Sequence, residues 1–432
     1  MKKILFSLFV IAAVAGCKKD NNHIFNKSPD ERLNEALAGY QATLAGAPYG
    51  WNAVLYPKGG GAYAFYFKFN DANRVQMIAD INTASATTVK ESSYRLKALQ
   101  QPSLLFDTYS YLHILADPDG SVNGGTDGQG LLSDFEFYFN DSTTADTIKL
   151  TGRVNGSKAV LVKATQEEAQ AYTGGAFDVS VLSENLSPIL QYFKRFTIGG
   201  DTYDINVNPS TRIIIFTWSD ANGEVQTFTT AFYYTLEGVR FQNPFVLGST
   251  SITGLSDFLW SGGTGTLNLT AGNTPATIKG AARPLVIDVN APQRWWQTAV
   301  NDGAYWESFA GFHVNGVDDA FGIGTLSKFY SLIYAPEYEA GVDLYAPLFI
   351  NAAGTGLEPH YGGAISTPEF TPDGRAVFPI LGTYGPYPPT GPAAESLGQL
   401  LIPQGYYFIQ TSASTYDMVS ADNAKTWITW SY

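Results

Sequence analysis

The chain has 432 residues, enough for two or three domains, and carries 26 Lys and Arg against 39 Asp and Glu, a formal net charge of −13. That balance argues against a nucleic-acid partner, because phosphate binding needs a basic footprint. A single cysteine rules out any intramolecular disulfide, and no run of 18 apolar residues follows the first 17, so no transmembrane helix is expected.

The first 17 residues read MKKILFSLFVIAAVAGC. Lys2 and Lys3 form a positive head, and Ile4 to Val14 is an apolar core too short to span a bilayer, which takes ~20 residues. This is the layout of a secretory signal peptide. The end, Val14-Ala15-Gly16-Cys17, is similar to the lipobox of bacterial lipoproteins. That resemblance implies cleavage before Cys17, a diacylglyceryl group on its sulfur, and a membrane partner reached through that anchor. Cleavage elsewhere would leave a free thiol instead. Residues 17–27 read as a polar tether. Lys18-Lys19-Asp20 is loosely similar to surface-export signals of Bacteroidetes lipoproteins but lacks their acidic run. Outer-membrane placement is expected, with the leaflet open.

Ser28-Pro29-Asp30-Glu31 is a capping box with proline at the first helical position. Leu33, Ala36, Leu37, Tyr40 and Leu44 then recur at three and four, predicting an amphipathic helix ended by Gly46 and Pro48. From Trp51 the period changes to two. Tyr63, Phe65 and Phe67 are expected on one face, Ala64, Tyr66 and Lys68 on the other, with a turn at Asn70-Asp71-Ala72-Asn73. Thr165 with Glu168 makes a second capping box, and Asn290 before Pro292 marks a third helix start.

Three leading helices suggest internal repetition. Phe69–Gln76 parallels Trp218–Gln226, Leu132-Ser133-Asp134-Phe135 parallels Leu255-Ser256-Asp257-Phe258, and Ile148–Thr151 parallels Leu267–Thr270. Asp71 and Asp134 stand 63 apart, Asp220 and Asp257 37 apart, so the first copy is 26 residues longer. The expected organisation is a signal peptide at 1–16, a tether at 17–27, and modules at 28–164, 165–289 and 290–432. The expected fold class is α+β, predominantly antiparallel β, built from two or three degenerate helix-plus-β-sheet modules.

Trp51 with Gly59-Gly60-Gly61, Ser92-Ser93-Tyr94-Arg95-Leu96, Phe106-Asp107-Thr108-Tyr109 with His113 and Asp117-Pro118, and Ser133–Phe137 together resemble domain-of-unknown-function family 4302, lipoproteins of Bacteroidetes. The resemblance implies a setting beside outer-membrane nutrient-uptake systems. It brings no activity and no catalytic residues.

Candidate chemistry is sparse. No HExxH, GxSxG or phosphate-loop pattern is present. His113, four residues before Asp117, reads either as a metal or proton-relay group or as a hydrogen-bonded structural histidine. The segment from Asp117 to Gly128 offers Asp117, Asp119, Asn123 and Asp127 to calcium on a glycine-rich chain, although it departs from the EF-hand pattern. Its plainer reading is a solvated acidic turn. Asp134 and Glu136 flank Phe135 and would share one strand face, as paired hydrolytic carboxylates or as the polar side of a half-exposed sheet. Trp295, Trp296 and Tyr387 are candidates for stacking on a sugar ring, or for core packing. The pattern points to an envelope lipoprotein that binds a glycan, a peptide or an outer-membrane partner protein without catalysis. A carboxylate-dependent hydrolase and a structural or adhesive protein are the alternatives.

Overall fold

The computed structural model describes residues 27–248 and 250–432. The signal peptide, Cys17, most of the tether and His23 therefore lie outside the described residues. By internal contact the chain divides into two units. The first comprises residues up to Gly59, Phe65–Ala79 and Thr88–Gln170; the second comprises Gly60–Ala64, Asp80–Thr87 and Ala171–Tyr432. The fold is mostly antiparallel β with few helices, the expected class.

The first unit opens on the helix Pro29–Ala45. The Glu31 amide donates to Ser28 Oγ at 3.2 Å and the Ser28 amide donates to the Glu31 carboxylate at 2.8 Å, so both halves of the capping box are made. Its apolar stripe meets the sheet. Tyr40 stacks on Phe139 at 3.8 Å, and the indole of Trp51 donates to the Leu44 carbonyl at 3.0 Å.

Eight antiparallel strands then run in sequence order from Trp51–Tyr56 to Lys158–Lys163 and close into a barrel, with Trp51 opposite Lys163. Closure follows from the strand chemistry. Phe65, Phe67, Phe69, Phe106 and Phe137 are buried, while Lys68, Gln76 and Lys149 stay exposed. The rings leave an interior space of about 10 Å³, at the lower limit for one water molecule. This barrel is a packed core and not a ligand cup. The strict alternation expected over Tyr63–Lys68 breaks at Tyr66, which is buried because its hydroxyl donates to the Tyr49 carbonyl at 2.8 Å.

The second unit holds another closed eight-stranded meander, from Phe193–Ile198 to Thr274–Ala281, joined where Ala276 pairs with Ile198. Phe196, Phe216, Phe241 and Phe245 fill it. The paired segments found by sequence fall unevenly. Ile148–Thr151 and Leu267–Thr270 lie on the seventh strand of each barrel, and Asp134 and Asp257 lie before and within the sixth. The turn at residues 70–73 joins the second and third strands, whereas the turn at 220–224 joins the third and fourth. Both turns are tied alike: Asn70 Oδ1 accepts from the amides of Ala72 and Arg74, and Asp220 Oδ1 from those of Asn222 and Glu224. The extra length of the first copy is the long connection from Phe106 to Glu136; its counterpart runs only from Leu247 to Thr250.

Residues 290–432 form no third barrel. Their strands make an open sheet with non-sequential order around the helix Ala291–Asp302. Trp295, on that helix, occupies the space that strand side chains fill in the barrels, between Trp306, Tyr334 and Phe408. Asn290 stands at the N-cap but makes no side-chain cap bond; Asp288 takes the Asn290 amide and pairs with Arg294 instead.

One buried ion pair anchors the second unit. Arg212 Nη1 donates to Asp80 Oδ2 at 2.6 Å, and Nη2 donates to the Asp80 carbonyl. The guanidinium lies over Tyr63 and Tyr234, at 4.3 and 5.5 Å from their ring centres. Asp80 is fully buried and Arg212 nearly so, with φ of 55°, a left-handed conformation that a long side chain adopts at a cost.

Candidate functional site

A cleft of about 450 Å³ with a largely apolar lining lies in the second unit. The helix Val181–Leu186 and the following turn supply Leu186, Ile189 and Leu190. Strands Phe193–Ile198 and Asp201–Asn208 supply Lys194, Ile205, Asn206 and Val207, and the open sheet supplies His313 and Trp427. Its size and apolar walls are those of a small-molecule site, for which ~300–1,000 Å³ is usual.

Its polar groups are mostly spent. Ser183 and Ser187 donate their hydroxyls to the carbonyls of Ser180 and Glu184, each at 2.8 Å. The Tyr192 hydroxyl donates to Asp417 Oδ2 at 2.6 Å, and burial pushes its phenol well above the usual range. The His313 ring stacks on Trp427 at 3.7 Å, a flat double layer on the cleft wall. Lys194 differs. Its Nζ donates to the Gln191 carbonyl at 3.0 Å, and burial alone pushes its pKa down.

None of the residues singled out by sequence lines this cleft. Trp295 is fully buried in the core of the open sheet, which corrects its reading as a stacking platform. Trp296 is half-buried, as adjacent tryptophans on one helix require, and its indole donates to Asp343 Oδ2 at 2.7 Å. Tyr387 is half-buried; its hydroxyl donates to the Ala393 carbonyl at 2.7 Å and its ring meets the edge of Tyr361.

The 117–128 segment is bonded to itself. Asp117 accepts from the Asp119 amide and from Tyr109, whose phenol that bond pushes up to about 12. Asp119 accepts from the amide and hydroxyl of Ser121, which hold its carboxyl below the usual range. Asn123 reaches the carbonyls of Ile114 and Asp117, and Asp127 takes the Gly120 amide. Among the described residues no three carboxylate, imidazole or thiol groups gather at one point. These bonds close the segment on itself as an acidic turn.

Asp134 and Glu136 do not form a carboxylate pair. Asp134 is buried and accepts from the amides of Val154, Asn155 and Ser157 and from the Ser157 hydroxyl, pinning the turn between two strands. A Cβ at Gly152 would overlap Asp134 Oδ2, so only glycine fits there. Glu136 is half-exposed beside Arg153 at 3.7 Å. Phe135 leaves the face of Phe137 and Phe139 and stacks on His113 at 4.7 Å. His113 Nδ1 accepts from the Ser110 amide at 3.2 Å, so Nε2 carries the proton and donates to the Phe106 carbonyl. Burial pushes its pKa down and keeps this neutral, structural form.

A family model, Domain of unknown function (DUF4302), matches residues 21–260, more than half of the chain. The chain belongs to the DUF4302 family. The matched residues include the helix Val181–Leu186 and both barrel strands that line the cleft of this DUF4302 protein; His313 and Trp427 lie beyond them. No curated protein matches the chain. Among solved structures, a DUF3598-family protein of unknown function from Nostoc punctiforme is 10% identical over 55% of this chain and 96% of its own, with a TM-score of 0.14. A DNA polymerase III subunit beta sliding clamp from Bartonella birtlesii is 10% identical over 91% and 97%, also at 0.14. The H. pylori beta clamp in complex with 5-chloroisatin is 9% identical over 93% and 97%, at 0.12. At these TM-scores the likenesses carry no weight for the fold or role of the DUF4302 chain.

One constellation in the DUF4302 cleft has the outline of a proton-transfer pair. His313 Nδ1 lies 2.6 Å from Asp318 Oδ1, and the Gly316 amide donates to Nε2 at 3.1 Å. Nε2 is thus an acceptor already in use, and Nδ1–H donates to Asp318. A general base needs a free lone pair within reach of the substrate. Here the pair fixes the ring against Trp427. The sequence signal for this site was faint. Lys194 shares strand parity with the buried Phe196 and Ile198, an inward position unusual for a lysine.

Proposed function

We propose that this protein is a non-catalytic binding protein of the cell envelope, held to the outer membrane by lipid on Cys17 and serving a nutrient-uptake system. The cleft of about 450 Å³ carries the reading. It is apolar-walled, it presents one flat aromatic face, and the hydroxyl and imidazole groups around it are bonded within the protein. Such a surface recognises a ligand without activating it. The uptake setting is drawn from the family resemblance, and the anchor from the lipobox-like Val14-Ala15-Gly16-Cys17.

Thermal unfolding of the full chain against a panel of small acids, glycans and peptides tests the reading. A ligand at 100 times its Kd adds about 2.7 kcal/mol to the folded state. The ligand is expected back unchanged. Asn206→Trp, at an exposed position of the wall, fills the cleft and is expected to abolish the shift while leaving the ligand-free midpoint in place. A shift that survives Asn206→Trp, or turnover of the ligand, contradicts the proposal.

The anchor has its own test. One acyl chain binds membranes marginally, whereas two hold stably at ~0.8 kcal/mol per buried CH₂. The wild-type chain is expected to incorporate a fatty-acid analogue and to sediment with membranes, and Cys17→Ser to do neither. Membrane sedimentation unchanged in Cys17→Ser would overturn it.

A further inference from the structure

We infer that the cleft takes a monocarboxylate with an apolar body, its carboxylate paired with Lys194 and its body against Leu186, Leu190, Val207 and Trp427. This rests on the binding reading and names the ligand class. The decisive feature is an uncompensated cation. Three buried or half-buried arginines of the second unit are paired: Arg195 with Asp204, Arg212 with Asp80, Arg375 with Asp373. Lys194 forms no ion pair among the described residues, and its one hydrogen bond, to the Gln191 carbonyl, leaves two ammonium protons unused.

A half-buried ammonium beside Leu186, Ile205 and Val207 pays for desolvation without an opposite charge. An entering anion supplies that charge, and a single cation matches a single negative charge. A phosphate, at −1.5 to −2, would bring surplus charge into apolar surroundings on a chain whose own net charge is −13. The aliphatic walls and the Trp427–His313 layer call for a hydrocarbon or aromatic remainder.

Octanoate, octan-1-ol and octylamine share one body and differ in the head group. Calorimetric titration of each into the full chain in neutral-detergent micelles, against a micelle blank, separates the two terms. Octanoate is expected to bind about 10- to 100-fold more tightly than octan-1-ol, and octylamine more weakly than either. Lys194→Met keeps the stem and removes the charge. It is expected to bring octanoate down to octan-1-ol, with an unchanged or raised thermal midpoint, about 2–4 °C higher if the lost desolvation cost is recovered. Asn206→Trp is expected to abolish binding of both. Equal binding of octanoate and octan-1-ol to wild type, or octanoate affinity unchanged in Lys194→Met, overturns the carboxylate assignment and leaves the binding cleft standing. If neither octanoate nor octan-1-ol binds, the carboxylate assignment fails here together with the apolar-ligand reading of the cleft.

Discussion

Arg212→Ala is expected to destabilise the second unit by about 3–5 kcal/mol. The substitution strands the Asp80 carboxylate, which is fully buried and is left with backbone donors such as the Tyr234 amide at 3.0 Å. It also removes the cation from between Tyr63 and Tyr234 and frees the Ala62 carbonyl. Burial already pushes the Asp80 pKa up against the opposing pull of Arg212, so without Arg212 the carboxyl is expected to take up a proton at higher pH. For a group raised in the folded state, the stability contribution is present below the unfolded value and is lost as pH rises through the folded one. The Arg212→Ala penalty should therefore shrink toward acid pH. Urea unfolding at several pH values measures it. The double replacement Asp80→Leu with Arg212→Met should recover most of the loss, because removing both charges removes the stranded one. A loss below about 1 kcal/mol at neutral pH would mean that the pair is solvated and not buried.

Trp295→Ala is expected to cost a similar amount, about 3–5 kcal/mol, through cavity formation. Trp295 is fully buried, tilted against Tyr334 at 4.9 Å and Phe408 at 4.8 Å, and stacked on Trp306 at 5.8 Å, whose own indole donates to the Trp295 carbonyl. Few other side chains touch as much of the open-sheet core. Trp295→Phe should lose clearly less, since part of the ring volume remains. Denaturant midpoints of the two variants check this. A variant Trp295→Ala that keeps wild-type stability but loses ligand affinity would return Trp295 to the surface role read from sequence.

What the chain announces locally, it largely delivers. The Ser28–Glu31 and Thr165–Glu168 boxes are readable because both partners lie three residues apart, and both form. The aromatic, period-two strands announce an antiparallel β fold for the same reason. Closure of the barrels is a different kind of fact. Trp51 finds Lys163, and Phe193–Ile198 finds Thr274–Ala281, over separations at which no local pattern specifies a partner.

The candidate site fails to announce itself for that reason. The hairpin carrying Lys194 and Asn206, the strand with His313 and the strand with Trp427 are three distant stretches, and that Lys194 has no ion pair among the described residues is visible only in space. Conversely, the acidic 117–128 segment and the Asp134–Glu136 pair look chemical in one dimension. Their carboxylates turn out to bind backbone amides, hydroxyls or a neighbouring arginine, because connections with little regular hydrogen bonding use side-chain oxygens to satisfy the chain.

A small ligand bound in the cleft of the second unit would meet Trp427, whose indole lines it and reports on it. The chain has eight tryptophans, so an indole N–H correlation spectrum of the ¹⁵N-labelled full chain holds few signals, and Trp427→Phe assigns the one in question. Titration with octanoate is expected to move the Trp427 signal progressively to saturation, leave the buried Trp295, Trp306 and Trp430 in place, and have no effect in Asn206→Trp. A Trp427 signal that stays fixed at millimolar octanoate, or one that moves equally in Asn206→Trp, would contradict the account.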